Sequence, residues 1–428
     1  MNFDYLHPAD QIIRMIERIY RYGMTTTSGG NLSILDENGD IWITPGGVDK
    51  GSLGRADIVR VTSDGRIDGR HKPSSEFPFH QAIYRSRPDL RAIVHAHPPS
   101  LVSFSIVRRV PNVGMLPGER EICGEVGMAD YALPGSDRLG ANIARVFAEG
   151  KHAVMLENHG VVVGGTTLME AFKTFETLEF CARTEILARR IGTPRAIASE
   201  LLEKARIEEP PTLSEFEPDR IPTDEREARR DMCELIHRAY EQRLFTSTQG
   251  TFSVKLGEDR FLITPHGLDR KILSPEDLVL IDRGRAEKGK SPSRSALLHR
   301  RIYERQPHIR SVLVSHSPHV MAFAVTERKF DSRTIPESYI LLRSLPKLPF
   351  LSVYEDAEGT ADRFTPDVPV AVVENNCVIA TGNSLLQAFD RLEVAEYSAK
   401  SIIEAEGLGA IAPIDEASIR ELEEAFRL

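Results

Sequence analysis

The sequence predicts an α/β protein built from two homologous domains in tandem, and three observations carry that expectation. The chain has 428 residues, too many for one ordinary hydrophobic core, so two domains of about 200 residues are expected. Four segments of the first half recur in the second half in the same order. Helix-like and strand-like periodicities alternate within each half.

The recurring segments define the duplication. "TSGGNLS" at 27–33 matches "STQGTFS" at 247–253, and "WITPGGVDKGSL" at 42–53 matches "LITPHGLDRKIL" at 262–273. "KPSSEFPFHQAIYRSRP" at 72–88 matches "SPSRSALLHRRIYERQP" at 291–307, and "VMLENHGVVVGG" at 154–165 matches "VVENNCVIATG" at 372–382. The offsets of 220, 220, 219 and 217 leave room for only small insertions. Between the copies, 206–225 is rich in Pro and acidic residues and has no periodicity, so it reads as a linker. The expected domains are therefore 1–205 and 226–428.

Each half is expected to run through the same elements. At the N-terminus Ile12, Ile13, Ile16, Ile19 and Tyr20 follow helical spacing. Early acidic residues and the lack of a continuous apolar stretch argue against a targeting segment there. A Gly-rich turn and a strand follow (41–44, or 261–264), then a helix opened by Ser-Ser or Ser-Arg. Ser75 is a good N-cap and Pro78 is tolerated in a first helical turn. Next come a strand ("RAIVHAHP", "RSVLVSHSP"), a hairpin at the Glu-Asn tetrapeptide, and a long closing helix (168–191, 384–405).

Composition excludes several classes. With 54 basic and 63 acidic side chains the net charge is −9, and no basic run offers a grip for nucleic acid. No stretch approaches the ~20 apolar residues of a membrane span. The four cysteines lie far apart without Cys-x-x-Cys spacing, which fits a cytoplasmic protein without disulfides or a thiolate metal site.

His95 and His97, two apart at a strand end, share one face of the strand and can reach one ion. Among 13 histidines one such pair is nearly expected by chance, so its neighbours carry the weight. His159 sits in the "ENHG" turn, and three His ligands with an open position are a common layout for a catalytic divalent metal, usually zinc. Ser74 and Ser75 lie at a helix start, where free N–H groups favour an anion. Gly29, Gly30 and Asn31 add further donors of the kind a phosphate or carboxylate needs.

"SGGNLS", "ITPGG", "KPSSE", "HAHPP" and "ENHG", in this order and spacing, resemble the class II aldolase/adducin family, once over about 8–195 and again over about 229–405. That family includes zinc-dependent sugar-phosphate aldolases, a ribulose-phosphate 4-epimerase, a dehydratase and metal-dependent decarboxylases. The resemblance implies α/β/α layered domains around a largely antiparallel sheet. It implies that His95, His97 and His159 bind Zn2+ or another divalent ion such as Mn2+, and that Glu76 is the acid/base. Gly30, Asn31, Thr44, Ser74 and Ser75 would hold the phosphate or an equivalent anion. The expected activity is a metal-dependent lyase reaction, retro-aldol cleavage of a small hydroxy-carbonyl through a metal-stabilised enediolate. Decarboxylation, dehydration or 4-epimerisation is the alternative, and a non-catalytic adducin-like module is the rival from another class.

Two features depart from the family pattern. Gly46 replaces the hydroxyl residue of the phosphate loop. The stretch "VPNVGMLPGEREICGE" at 110–125 lacks the tyrosine with which a neighbouring subunit protonates the leaving aldehyde. In the second half Asn376 matches His159 and Ser295 matches Glu76, while "VSHSPH" leaves the register of His316 open by one residue. Metal and activity are therefore expected in the first half alone. Because family sites lie between subunits of a fourfold ring, a homodimer forming a pseudo-fourfold ring is expected, acting on a small molecule without nucleic-acid or membrane partners.

Overall fold

The computed structural model describes residues 3–204 and 209–428. Residues 205–208, which include the end of the first expected domain and the start of the expected linker, lie outside the described residues. The chain divides into two compact units. One comprises Met1–Val113 with Gly118–Arg183; the other comprises Gly114–Pro117 with Thr184–Leu428.

The first unit is built on a sheet of eight strands: β1 (Asn31–Leu35), β2 (Ile41–Ile43), β3 (Val59–Val61), β4 (Ile67–Asp68), β5 (Ala92–Ala96), β6 (Val126–Ala129), β7 (Ala153–Leu156) and β8 (Gly160–Gly165). Their spatial order is β4-β3-β2-β1-β5-β8-β7-β6. Every pairing is antiparallel except β6 with β7, so the sheet is largely antiparallel as expected.

Helices α1 (Pro8–Arg21), α2 (Phe77–Ser86), α3 (Pro99–Ile106), α4 (Pro117–Cys123), α5 (Asp137–Ala148) and α6 (Leu168–Ile191) accompany this sheet. α1 forms because Ile12, Met15, Ile16 and Ile19 recur at helical spacing, and all four are buried. His7 Nδ1 accepts the Ala9 N–H and Pro8 fills the first turn, where its missing donor costs nothing. α1 and α3 pack on one sheet face, and Arg18 of α1 lies over the Phe172 ring of α6 at 4.5 Å. The other face carries α2 and α5, whose Phe79, Ile83, Leu139, Ile143 and Phe147 interlock with Ile43, Val59, Ile93, Val154 and Val162. Alternation along β5 puts His95 on the same face as Ile93, beneath α2.

The second unit repeats the plan with nine strands. Eight of the nine match the first sheet, Lys347–Leu348 standing where β6 stands and pairing in parallel as β6 does; the ninth is Glu215–Phe216 from the segment expected as a linker, which pairs in parallel with Arg285–Glu287. The corresponding pairings fix the register between the copies. Leu32 lies opposite Val94, and its counterpart Phe252 lies opposite Leu313. Val314 therefore stands where His95 stands, and His316 where His97 stands. No helix among the described residues is long and apolar enough to cross a membrane.

Candidate metal centre

β5 is buried from end to end and ends at Ala96, so His95 points into the unit while His97, two residues on, emerges on the same face. His159 enters from the turn joining β7 and β8. That turn is closed by the His159 N–H bonding to Leu156 O and by Asn158 at φ 54°, a conformation asparagine tolerates. Gly160 permits the approach, because a Cβ there would meet Ala96 O at 2.6 Å and His97 Cδ2 at 2.7 Å. One nitrogen each of His95, His97 and His159 lies within 4.8 Å of the other two.

Glu76 closes the cluster. Its Oε2 is 3.1 Å from His95 Nε2 and its Oε1 is 3.5 Å from His159 Nε2. Asn31 Nδ2 donates to Oε2 at 2.8 Å, while Oε1 is buried without a hydrogen-bond partner. The expected cap of α2 needs correction. Glu76 itself is the N-cap residue; its side chain turns inward, and Ser74 Oγ accepts the Glu76 N–H. Ser75 is exposed.

The electrostatics follow from this packing. Burial works to raise the Glu76 pKa, but the charge and hydrogen bond of His95, the charge of His159 and the Asn31 N–H outweigh it. Glu76 thus titrates well below the usual carboxylate range. Burial would lower His95, yet the Glu76 charge and hydrogen bond raise it. Burial, then the charges of His95 and His159, push His97 down to about 3. Burial, then His95, pushes His159 down to about 4.

The donor set suits a divalent cation. His95 Nδ1 donates to Val161 O at 2.9 Å, so a cation that displaces the proton Nε2 shares with Glu76 would meet the Nε2 lone pair. His97 Nε2 lies 3.1 Å from that lone pair, a contact between two ring nitrogens that a shared cation satisfies without protonating either. The orphaned Glu76 Oε1 offers a fourth donor.

The residues expected to hold an anion fall into two groups. Gly30 is at φ 73°, and a Cβ there would meet His95 O at 2.8 Å, so only glycine brings this turn against β5. The Ser74 N–H bonds to Thr44 O, and Pro45 bridges to Pro73, which brings the 44–46 loop to the start of α2. Thr44, by contrast, is fully buried, and its Oγ1 accepts the Leu32 N–H. Of the residues around the departure from the tyrosine pattern, Glu119 is buried and Tyr131 is half exposed beyond β6.

Two features were not anticipated from the sequence. One is the contact of Asn31 with Glu76. The other is a buried network in which Ser33 Oγ lies 2.7 Å from both His80 Nδ1 and Tyr84 OH. Its signal was present in the repeat, since Ser33, His80 and Tyr84 recur as Ser253, His299 and Tyr303.

In the second unit the metal set is gone. Val314 belongs to the apolar core, together with Cys377 at the Gly160 position. Ser295 and Asn376 stand where Glu76 and His159 do, which leaves His316 alone of the four.

The class II aldolase and adducin N-terminal domain model matches the chain twice, over residues 10–186 and 230–403. The chain is 32% identical over 209 residues to a 5-deoxy-D-ribulose 1-phosphate aldolase of Bacillus thuringiensis, covering 45% of this chain and 91% of the relative. It is 34% identical over 178 residues to an L-fuculose phosphate aldolase of Methanocaldococcus jannaschii (41% and 94% covered). It is 32% identical over 178 residues to a 3-oxo-tetronate 4-phosphate decarboxylase of Escherichia coli (41% and 84%). A solved L-fuculose 1-phosphate aldolase shares 32% identity, covering 46% of this chain and 92% of that one, with a TM-score of 0.42. With both halves matched by its model, the chain belongs to the class II aldolase and adducin N-terminal domain family.

Proposed function

We propose that the chain is a class II aldolase-type lyase that cleaves a carbon–carbon bond of a small phosphorylated hydroxy-carbonyl compound, using the first unit alone. The observation that carries this reading is the convergence of His95, His97 and His159 on the buried Glu76 carboxylate. Similarity to two sugar-phosphate aldolases supports the same chemistry. The three imidazoles would hold a divalent cation, zinc first, which when bound supplies Lewis-acid stabilisation to a substrate carbonyl and hydroxyl.

This chain's own residues do the rest. The substrate hydroxyl gives up its proton to the ionised Glu76 carboxylate, the adjacent C–C bond breaks, the electron pair passes to the carbon beside the carbonyl, and that carbon takes the proton back from Glu76. Glu76, ionised and fixed by Asn31, is placed to move the proton at that carbon. Gly30, Asn31, Thr44, Ser74 and Ser75 form the anion wall, Thr44 by bracing the turn from beneath. The start of α2 favours negative charge on substrate phosphate. The test is release of an aldehyde from L-fuculose 1-phosphate and 5-deoxyribulose 1-phosphate by metal-loaded protein. Saturating, metal-dependent cleavage is expected; loss of carbon dioxide from a keto acid without any aldol cleavage would replace this reading with decarboxylation.

The protein is further proposed to act as a cytoplasmic homodimer, with all four cysteines buried and free. In the second unit Asn375 Nδ2 donates to Met115 O and Arg195 O, the Arg195 N–H bonds to Val325 O, and Val325 and Thr326 are buried. The corresponding residues of the first unit are bare: Asn158 is exposed, and Ile106 and Val107 are each 60% exposed. The covering segment also exists twice, since the Ile197 N–H bonds to Gly114 O and the Ile414 N–H bonds to Arg333 O. A second chain can thus cover the bare face with residues near 333 and 414. A solution mass of two chains is expected, falling to one in Ile106→Asp; a monomeric parent protein would refute the dimer.

A further inference from the structure

The Glu76 carboxylate is the visible end of a chain of buried hydrogen bonds. Asn31 Nδ2 donates to Glu76 Oε2 at 2.8 Å, and Asn31 Oδ1 lies 2.5 Å from His80 Nε2. His80 Nδ1 lies 2.7 Å from Ser33 Oγ, which lies 2.7 Å from Tyr84 OH. His80 is fully buried, and both its ring nitrogens are engaged.

One assignment of protons satisfies every group. An amide oxygen can only accept, so His80 Nε2 carries the proton facing Asn31. A neutral ring then leaves Nδ1 as an acceptor, so Ser33 O–H donates to it and Tyr84 O–H donates to Ser33. Burial and the nearby His95 charge disfavour imidazolium, with a lesser opposing effect from Glu76. The chain therefore runs in one direction, from Tyr84 through Ser33 and His80 to Asn31 and Glu76.

The second unit supplies an internal comparison. It keeps Ser253, His299 and Tyr303 at 2.7 and 2.6 Å, but Thr251 replaces Asn31 and turns to Ser293 Oγ. Its His299 Nε2 is buried without a partner. The Ser-His-Tyr part thus persists as packing, whereas the link to a carboxylate exists only where the metal ligands do.

We propose that His80 is a positioning residue for the reaction: by donating to Asn31 Oδ1 it fixes which end of that carboxamide faces Glu76. The inverted amide would put its oxygen against the carboxylate and its NH2 against the His80 N–H, two repulsive contacts in a buried place. Held by His80, Asn31 presents a donor to Glu76 before substrate arrives, and Glu76 stays within reach of the reacting carbon. This inference rests on Glu76 as the proton carrier.

The test compares matched variants of the full chain. His80→Phe should lower kcat by about tenfold or more, the scale of a misplaced catalytic group, with a smaller change in KM and unchanged bound metal. His80→Gln, which returns a donor near the Nε2 position, should recover most of the loss. His299→Phe makes the same change in the second unit and should leave kcat as it was. In metal-free protein the side-chain amide NMR resonance of Asn31 should move in His80→Phe and stay in His299→Phe.

An unmoved Asn31 resonance, a His80→Phe kcat equal to the parent, or an equal kcat loss in His299→Phe would overturn the proposal. Glu76→Gln, run alongside, separates it from the reading beneath. If Glu76→Gln turns over normally, the catalytic assignment fails and the Asn31 resonance alone decides the positioning.

Discussion

His95 and Val314 occupy one position in two copies of the same sheet. His95 lies opposite Val162 and Val314 opposite the matching Ile379, each near the end of a fully buried strand. The imidazole meets a carboxylate at 3.1 Å, whereas the isopropyl group belongs to an apolar cluster that includes Phe364 and Cys377. A polar position proposed to hold an ion in one copy is apolar core in the other, and this exchange sets the expected metal stoichiometry.

Metal content should approach one divalent ion per chain after reconstitution and removal of loosely bound ions. His97→Ala should abolish both the bound metal and turnover, while His316→Ala should change neither. Elemental analysis of the parent checks the first point, and a value near two would mean that the second unit binds metal with other groups.

Replacing Glu76 by Gln keeps size and removes the proton carrier. Turnover should fall by roughly 10²- to 10⁴-fold, the usual contribution of a general acid/base, with metal retained on the three histidines. Steady-state kinetics beside elemental analysis distinguish this from loss of the site.

Gly160→Ala should weaken metal binding without touching a ligand. The added methyl would lie 2.6 Å from Ala96 O and 2.7 Å from His97 Cδ2, so backbone or imidazole must shift. A stability loss on the order of 1–3 kcal/mol is expected, with a lower metal affinity by titration. Cys377→Gly, the reverse change in the second unit, should leave metal affinity unaltered.

Much of this arrangement was legible in the sequence, for physical reasons. α6 spans Leu168–Ile191, the range set by its pattern; spacing of two on a strand put His95 and His97 on one face, and it was the family resemblance that joined His159 to them. The resemblance placed Glu76 beside the histidines, but that it is itself the N-cap residue of α2 was not legible, since Ser75 is the better cap by local preference. The Asn31–Glu76 bond joins residues 45 apart, a separation about which local patterns say nothing. The register of His316 needed the pairing of strands. Likewise, no pattern marks 114–117 as part of the second unit, because that grouping depends on tertiary contacts such as the Asn375 bond to Met115 O.

Lys50 offers a pH-dependent prediction outside the metal cluster. Its ammonium is 1% exposed and donates to Pro45 O at 2.5 Å, and burial holds its pKa at about 8 against the ordinary 10.5, despite the opposing charge of Asp49. Between those values the unfolded chain binds more protons than the folded one, so stability rises with pH over that window. Below it, the charged form carries the burial penalty in full. Lys50→Met should remove this rise, on the order of 2 kcal/mol, when denaturant midpoints are compared at pH 7.5 and 10.5. An identical pH slope in parent and variant would show that the ammonium is hydrated in solution.

The duplication has a consequence at the level of synthesis. Two separate genes, one for a copy with the proposed metal ligands and one for a copy with a core-filled site, would need matched expression and an interface able to reject like copies. One polypeptide makes the two in a fixed one-to-one ratio and keeps each at the high local concentration of a tethered neighbour. The copy carrying Val314 could then lose the side chains matching His95, His159 and Glu76, because covalent linkage, rather than affinity, kept it in the company of the copy carrying His95.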